Sequence, residues 1–413
     1  MADLKDPPAA AMRGAVMLDV TGHPTTSVHR LTTGTLTLTL RNAPVNPLFR
    51  VAERINPKRS FLFVSEVLGR HVPVRPSDHL DAVRSLVERC GPALFEGPLL
   101  VMGYAETAVG LGAAVAREIA RRHPGSDPLY LSTTRHPVPG RSWLRFSEGH
   151  SHATDHHVMR PDPHVALSGE AGTLVLVDDE ATTGSTFLAL LDALIWGGLR
   201  FRRVLLLTLT DWSEGAAERA VAERLPEAEV RAISLSQGAW TWEPDPLAPP
   251  HVLPKMPQAA DQTVVRAWSP TDVPSPRCGI RSWSDGWDRV ADRLRRNGTG
   301  RDRPVLVIGT GEQVWGPMRL GEELEASGAE VRMLATTRSP ILEGAVIRHK
   351  LSFPDHFGIG VPMYLHNVPA RPDADVILIT ETGADRICRT LRSYLGRGLI
   401  IDGSETITEF CEK

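Results

Sequence analysis

The chain has 413 residues, 46 Lys+Arg against 49 Asp+Glu, and 42% hydrophobic residues. At roughly 150 residues per domain this is material for two or three domains with buried cores, which excludes disordered and fibrous classes. A net charge of −3 argues against a general binder of nucleic acid or membrane surfaces, because both need a surplus of cations.

Residues 1–28, rich in Ala, Pro and Gly and without periodicity, are expected to be a flexible lead-in, with order beginning near His29. They lack the order of a secretory signal, and no run reaches the ~20 apolar residues of a membrane span, so the expected location is cytoplasmic. Strict Thr/Leu alternation predicts a strand over 35–40, and the apolar segment 61–69, ending at Gly69, predicts a short helix. Cys90 is the first of four widely spaced cysteines, with Cys278, Cys388 and Cys411. Their spacing suits neither a disulfide framework nor zinc, and they read as reduced thiols.

From Leu99 onward, apolar strands at 99–103, 129–133, 173–179, 203–210 and 229–235 alternate with helices at 107–122, 185–196 and 214–223. Continuous Val and Leu runs are buried on both faces, and strand–helix alternation means parallel β-α-β units. Nine prolines fall in the 33 residues from Pro244 to Pro276, a density that regular elements do not carry, so 244–280 reads as a linker. A second α/β pattern follows: a helix at 284–296, a strand at 304–310, a helix at 317–327, and strands at 330–336 and 375–380. The expected division is 1–28, 29–243, 244–280 and 281–413.

The most informative segment is 175–186, VLVDDEATTGST. A buried strand delivers Asp178 and Asp179 to its carboxyl end, the edge where open α/β sheets bind ligands. Ala181, Thr182, Thr183, Gly184, Ser185 and Thr186 then open a helix, offering backbone N–H groups and hydroxyls to a monophosphate, with Gly184 allowing close approach. Carboxylates beside a phosphate cradle fit a ribose 5-phosphate. This segment resembles the ribose-phosphate motif of type I phosphoribosyltransferases, except that Glu180 stands where that family usually has a hydrophobic residue.

The resemblance implies a type I phosphoribosyltransferase-like parallel sheet domain, with an N-terminal hood at about 29–76, followed by a smaller α/β domain. It assigns the ribose hydroxyls to Asp178 and Asp179 and the 5′-phosphate to 181–186. It also places a pyrophosphate loop at Tyr104, Ala105, Glu106 and Thr107, presenting backbone N–H groups, with Arg135 adding a guanidinium after the next strand. The hood cations Lys58 and Arg59 would face the acceptor, and a cationic hood would suit an anionic one. The segment 146–157 carries four histidines and is open to three readings, the plainest being a solvent-exposed polar loop. Another is a zinc-chelating site. The third, which the resemblance favours, is a catalytic loop in which Glu148, His150, His152 and Asp155 close over pyrophosphate.

In the second half, GTGE at 309–312 fails as a dinucleotide fingerprint, because Val314 replaces the third glycine and no acid ends the next strand. That strand ends instead in Thr337-Arg338-Ser339-Pro340, with Arg348 and His349 soon after, an anion-binding set. Together with 56–74 and 146–158, this resembles phosphoribosyltransferases with a C-terminal TRSP domain, of the kind found in bacterial tellurium-resistance and stress gene clusters. The resemblance implies transfer of ribose 5-phosphate between 5-phosphoribosyl 1-pyrophosphate and a nitrogenous base or base-like acceptor. Mg²⁺ would be held mostly by substrate, with Asp178 and Asp179 able to assist. A non-catalytic sensor of the same ligand is the alternative. The expected partners are small molecules, without nucleic acid or membrane, and a homodimer is one assembly open to the chain.

Overall fold

The computed structural model describes residues 24–42, 47–56, 59–137, 141–147, 155–161, 172–248, 276–281, 283 and 286–412. Two antiparallel hairpins come first: β1 (Thr25–Leu31) with β2 (Gly34–Asn42), and β3 (Phe49–Glu53) with β4 (Phe61–Ser65). Helix α1 (Pro76–Glu88) leads into β5 (Leu99–Gly103), α2 (Val109–Arg122) and β6 (Pro128–Thr134). The hairpin β7 (Ser142–Ser147) and β8 (Asp155–Met159) precedes β9 (Thr173–Ala181), α3 (Ser185–Trp196), β10 (Arg203–Asp211), α4 (Ala216–Arg224) and β11 (Glu229–Pro244).

Nine of these strands form one sheet in the order β1, β2, β11, β10, β9, β5, β6, β8, β7, with β11 through β6 parallel. Its centre is apolar on both faces, since Leu174 to Val177 and Leu99 to Met102 are fully buried. The Thr/Leu alternation of β2 buries Leu36, Leu38 and Leu40 and leaves the threonines half-exposed.

Three expectations are corrected here. Residues 61–65 are strand β4, not the start of a helix. Phe61 and Phe63 share one face and pack on Trp240, Trp242 and Trp212, with Phe61 and Trp240 centroids 5.0 Å apart, and a five-residue apolar run carries no period that separates strand from helix. Residues 25–28, expected in the flexible lead-in, belong to strand β1, which pairs with β2 along its whole length. The end of the expected linker is packed structure: Ile280 exchanges both backbone hydrogen bonds with Tyr130 at 2.9 Å, and Cys278 is buried beside Met159.

The second sheet is built from β12 (Val305–Gly309), β13 (Val331–Ala335), β16 (Asp375–Ile379), β17 (Arg397–Ile401) and β18 (Ile407–Cys411), in the order β13, β12, β16, β17, β18. Helices α5 (Trp287–Arg296), α6 (Trp315–Ala326) and α7 (Arg389–Leu395) flank it, and β14 (Lys350–Pro354) pairs with β15 (Pro362–His366). The two sheets share a continuous hydrophobic cluster that runs from Leu36 and Met102 to Trp315 and Met333. Val74 and Met333 exchange backbone hydrogen bonds at 3.0 and 2.8 Å, and Arg117 of α2 forks onto Glu322 of α6. Among the described residues no helix is long and apolar enough to cross a membrane.

Candidate active site

Strand order in the large sheet reverses between β5 and β9, and an open α/β sheet binds its ligand in the crevice outside the carboxyl ends at such a point. Both motifs read from the sequence meet there. From β5 comes the turn Tyr104 to Thr107, with a cis peptide between Ala105 and Glu106. Gly103 permits the chain to fold back, since a Cβ there would lie 2.4 Å from the Ala108 carbonyl oxygen. From β9 come Asp178, Asp179 and Glu180. Thr107 Oγ1 donates to Asp179 Oδ1 at 3.0 Å across the crevice, and Asp178 Oδ1 accepts the Asp179 N–H at 2.9 Å. Burial, then the charge of Glu180, raises the Asp179 pKa, so a hydroxyl donor or a cation at this carboxylate would be stabilising.

The loop after β9 has the form of an anion cradle. Gly184 adopts φ +81°, and a Cβ on it would sit 2.7 Å from Ala217 Cα, so neither conformation nor space admits a side chain. Helix α3 then begins at Ser185 behind Gly184, which has no capping side chain; Thr183 Oγ1 accepts the Ser185 N–H at 3.3 Å, and Thr183 and Ser185 are exposed, their hydroxyls 3.0 Å apart. The rest of the first turn leaves backbone N–H groups and the positive end of the helix dipole for an anion. Ala181 is buried and its carbonyl accepts from Trp212 N, while Thr182 and Thr186 are half-buried. Tyr104 Oη donates to the Thr186 carbonyl at 3.3 Å, tying the two loops together.

Within the 104–107 turn, the N–H of Tyr104 is given to Val177 O and that of Ala105 to Thr133 Oγ1 at 2.9 Å. Thr133 in turn meets Nδ1 of the buried His156 at 3.1 Å. His156 stacks on Phe146 with ring centroids 4.7 Å apart, so the β7/β8 hairpin braces this turn through one hydroxyl.

The Glu106 side chain turns toward the second sheet. It accepts from Arg70 Nη2 at 2.7 Å, Thr337 Oγ1 at 3.2 Å and Arg338 N at 3.3 Å, with Arg338 Nε at 4.0 Å. Burial alone would push this carboxyl up. Arg70 above all, then Arg338 and Arg135, outweigh it and hold the pKa at about 2. The Thr337-Arg338-Ser339 turn therefore stands against the 104–107 turn, with Ser339 N bonded to Thr337 Oγ1. Arg348 and His349 do not join this cluster: both are exposed, and the Arg348 N–H goes to Asn367. Arg135 lies at the same edge, its backbone N–H bonded to Glu312 Oε1 at 2.7 Å. Glu312 also accepts from Thr134 and from Arg277, which bridges to Glu381 at 2.7 Å. Burial pushes Glu312 up, but His136, Arg277 and the bonded groups lower it.

On the other side of Asp179 lies a small cleft of about 20 Å³, open to solvent, between the β3/β4 hairpin and the ends of β9 and β10. Phe49, Phe63 and Trp212, packed on one another with centroids 4.6 to 5.4 Å apart, border it, with Asp179 and Glu180 also in its lining. Arg59 forks onto Glu180 at 2.8 and 3.1 Å while its guanidinium lies over Phe61 at 4.7 Å and Phe63 at 5.0 Å. The charge of Arg59 is thus taken up by Glu180. Asp155 pairs with Arg145 and accepts from Ser147 at the end of the β7/β8 hairpin where β7 stops and β8 starts. Since β8 runs antiparallel to β6 with His157 opposite Thr134, that end rises at the carboxyl edge of the sheet. Lys58, Glu148, His150 and His152 lie outside the described residues. Among the described residues no group of three or more His, Cys, Asp or Glu is placed to hold a metal ion.

Sequence reasoning did not single out Glu312, Arg277, Thr133 or His156. Their partners lie 23 to 178 residues away, and only the mismatch of Glu180 with the usual pattern signalled a pairing. The family model described as phosphoribosyl transferase matches residues 48–239, and the model described as the TRSP domain C-terminal to it matches 280–392. Similar solved structures include adenine phosphoribosyltransferase from Rhodothermus marinus, at 21% identity over 46% of this chain and 94% of that one, TM-score 0.31. Another is the Giardia lamblia adenine enzyme complexed with 9-deazaadenine, at 18% over 45% and 93%, TM-score 0.32. A third is orotate phosphoribosyltransferase from Aeropyrum pernix, at 18% over 45% and 87%, TM-score 0.28. No curated protein matches the chain.

Proposed function

Because the chain belongs to the phosphoribosyl transferases that carry a C-terminal TRSP domain, we propose that it moves a 5-phosphoribosyl group from 5-phosphoribosyl 1-pyrophosphate to a nitrogen acceptor. The bond from C1 of the ribose to the pyrophosphate oxygen breaks, the bond from C1 to the acceptor nitrogen forms, and the proton of that nitrogen is released. The observation that carries this reading is the pairing, in one crevice, of the adjacent carboxylates Asp178 and Asp179 with the glycine-bearing turn at 182–186 that opens α3.

In this reading Thr182 to Thr186 hold the 5-phosphate and the two aspartates hold the ribose hydroxyls. The N–H groups of Glu106 and Thr107, with Arg135 and Arg338, receive the departing pyrophosphate. Charge neutralisation by fixed groups at the leaving oxygens is the main catalytic effect such a site offers, together with alignment. Two adjacent carboxylates without a protein cage fit a Mg²⁺ ion held mainly by ligand oxygens. Asp178 and Asp179 would be its protein neighbours, and the ion would add charge neutralisation at pyrophosphate.

Calorimetric titration of the full chain with 5-phosphoribosyl 1-pyrophosphate and Mg²⁺ tests the reading. Binding is expected, and Asp179→Asn should weaken it by ~1–3 kcal/mol, the range for a lost charged hydrogen bond. Absence of binding, or equal affinity in the variant, would refute the assignment. Binding without pyrophosphate release on any acceptor would favour a sensor.

A further inference from the structure

The turn that receives pyrophosphate, on the reading above, is held from two sides. Three of its four residues are anchored within the first half: the Tyr104 N–H goes to Val177 O, the Ala105 N–H to Thr133 Oγ1, and Thr107 Oγ1 to Asp179. Glu106 is anchored elsewhere. Arg70 Nη2, Thr337 Oγ1 and Arg338 N all donate to its Oε2. These donors are themselves tied together. Arg70, 2% exposed, gives its other terminal nitrogen to Gly311 O, and the Gly311 N–H goes to Thr336 Oγ1 at 2.8 Å. Thr337 in turn exchanges backbone hydrogen bonds with Tyr364 of β15 at 2.9 and 2.7 Å.

This ring of bonds lies at the carboxyl edge of the second sheet, where the chain passes from β12 to β13 on one side and later to β16 on the other. An open α/β sheet ordinarily offers such an edge to a ligand of its own. Here its polar groups serve the first half: the turn at 336–338 grips Glu106, and Glu312 accepts the N–H of Arg135 at 2.7 Å. Glu106 and Arg135 both belong to the set that receives pyrophosphate. We infer that the second half is a positioning element for pyrophosphate: Thr337, and the Arg70 that Gly311 holds, act through the Glu106 carboxylate to fix where the N–H groups of Glu106 and Thr107 point. With its side chain bonded to three groups, Glu106 cannot turn its peptide planes freely, so the donors are oriented before the ligand arrives. Thr337 and Arg70 are positioning residues, since neither needs to touch the ligand.

The test measures, by calorimetry on the full chain, the affinity for three ligands: 5-phosphoribosyl 1-pyrophosphate with Mg²⁺, inorganic pyrophosphate with Mg²⁺, and ribose 5-phosphate, which lacks the pyrophosphate. Thr337→Val removes the hydroxyl and keeps the bulk. It should weaken the first two by about fivefold to tenfold, the scale of one ordinary hydrogen bond. The affinity for ribose 5-phosphate should stay within about twofold, which also reports that the variant is folded. Thr337→Ser returns the hydroxyl and should restore both affinities. Arg70→Lys keeps a charge beside Glu106 but gives up the fork that spans Glu106 and Gly311, and as an independent second variant it should show the same split. A merely structural role would lower the melting temperature and weaken all three ligands alike. That outcome overturns the inference, as does unchanged affinity for the two pyrophosphate ligands in Thr337→Val, or a Thr337→Ser variant as weak as Thr337→Val. If the wild type binds none of the three ligands, the transferase reading itself fails; if it binds them and the variants show no split, this inference alone fails.

Discussion

Glu106→Gln is the most telling single change, because Glu106 joins three parts of the molecule: Arg70 of the N-terminal segment, the turn at the sheet edge, and Thr337 and Arg338 of the second half. Its magnitude follows from two independent routes. A carboxyl whose ordinary value is 4.5 and which the fold holds at about 2 contributes about 3 kcal/mol at neutral pH. Little of this is lost to solvent screening, since the Glu106 side chain is 14% exposed and that of Arg70 2%. Removing one partner of a buried pair and leaving the other cation unpaired costs ~3–5 kcal/mol, which agrees.

The sign is set by the direction of the shift. The folded pKa lies below the unfolded one, so the contribution is complete above about 4.5 and is lost as pH falls toward about 2. Urea denaturation of wild type and Glu106→Gln, followed by tryptophan fluorescence, should give a stability difference of about 3 kcal/mol at pH 7. The gap should narrow steadily between the two pKa values as wild-type Glu106 takes up its proton. A difference under about 0.5 kcal/mol at pH 7, or a gap that persists unchanged at the acid end of that window, would show that Glu106 does not couple the two halves.

Gly184→Ala forces a side chain into the left-handed region at φ +81° and against Ala217. It should cost at least ~1 kcal/mol of stability and weaken binding of 5-phosphoribosyl 1-pyrophosphate, by thermal denaturation and calorimetry; wild-type behaviour in both would dismiss the cradle. Arg277→Met strands Glu312 and Glu381, whose bridging arginine is 3% exposed. It should destabilise by ~3–5 kcal/mol, and an unchanged denaturation midpoint would mean the network is not buried as described.

Much of the fold is legible in the chain itself because its signals are local. The continuous apolar strands around 99–103, 173–179 and 203–210 need only their own composition to announce burial on both faces, and α3 occupies the range 185–196 expected from the strand–helix alternation. The Asp178-Asp179 pair and the 182–186 loop are contiguous, so their joint chemistry is visible before any folding is known. Residues 61–65 were not decidable that way, because a five-residue apolar run satisfies either period until β3 and the tryptophans of β11 arrive beside it.

The partners of the site belong wholly to tertiary structure. Arg59 meets Glu180 across 121 residues, Glu106 meets Thr337 across 231 and Arg70 meets Gly311 across 241. A lone Arg or Glu in a sequence reads as a solvated charge, and its pairing carries no spacing to detect. What selects these pairs is burial: once the two sheets share a core, a charge at the seam must find its counter-charge there, because leaving it unpaired out of water costs more than any alternative packing of the loop.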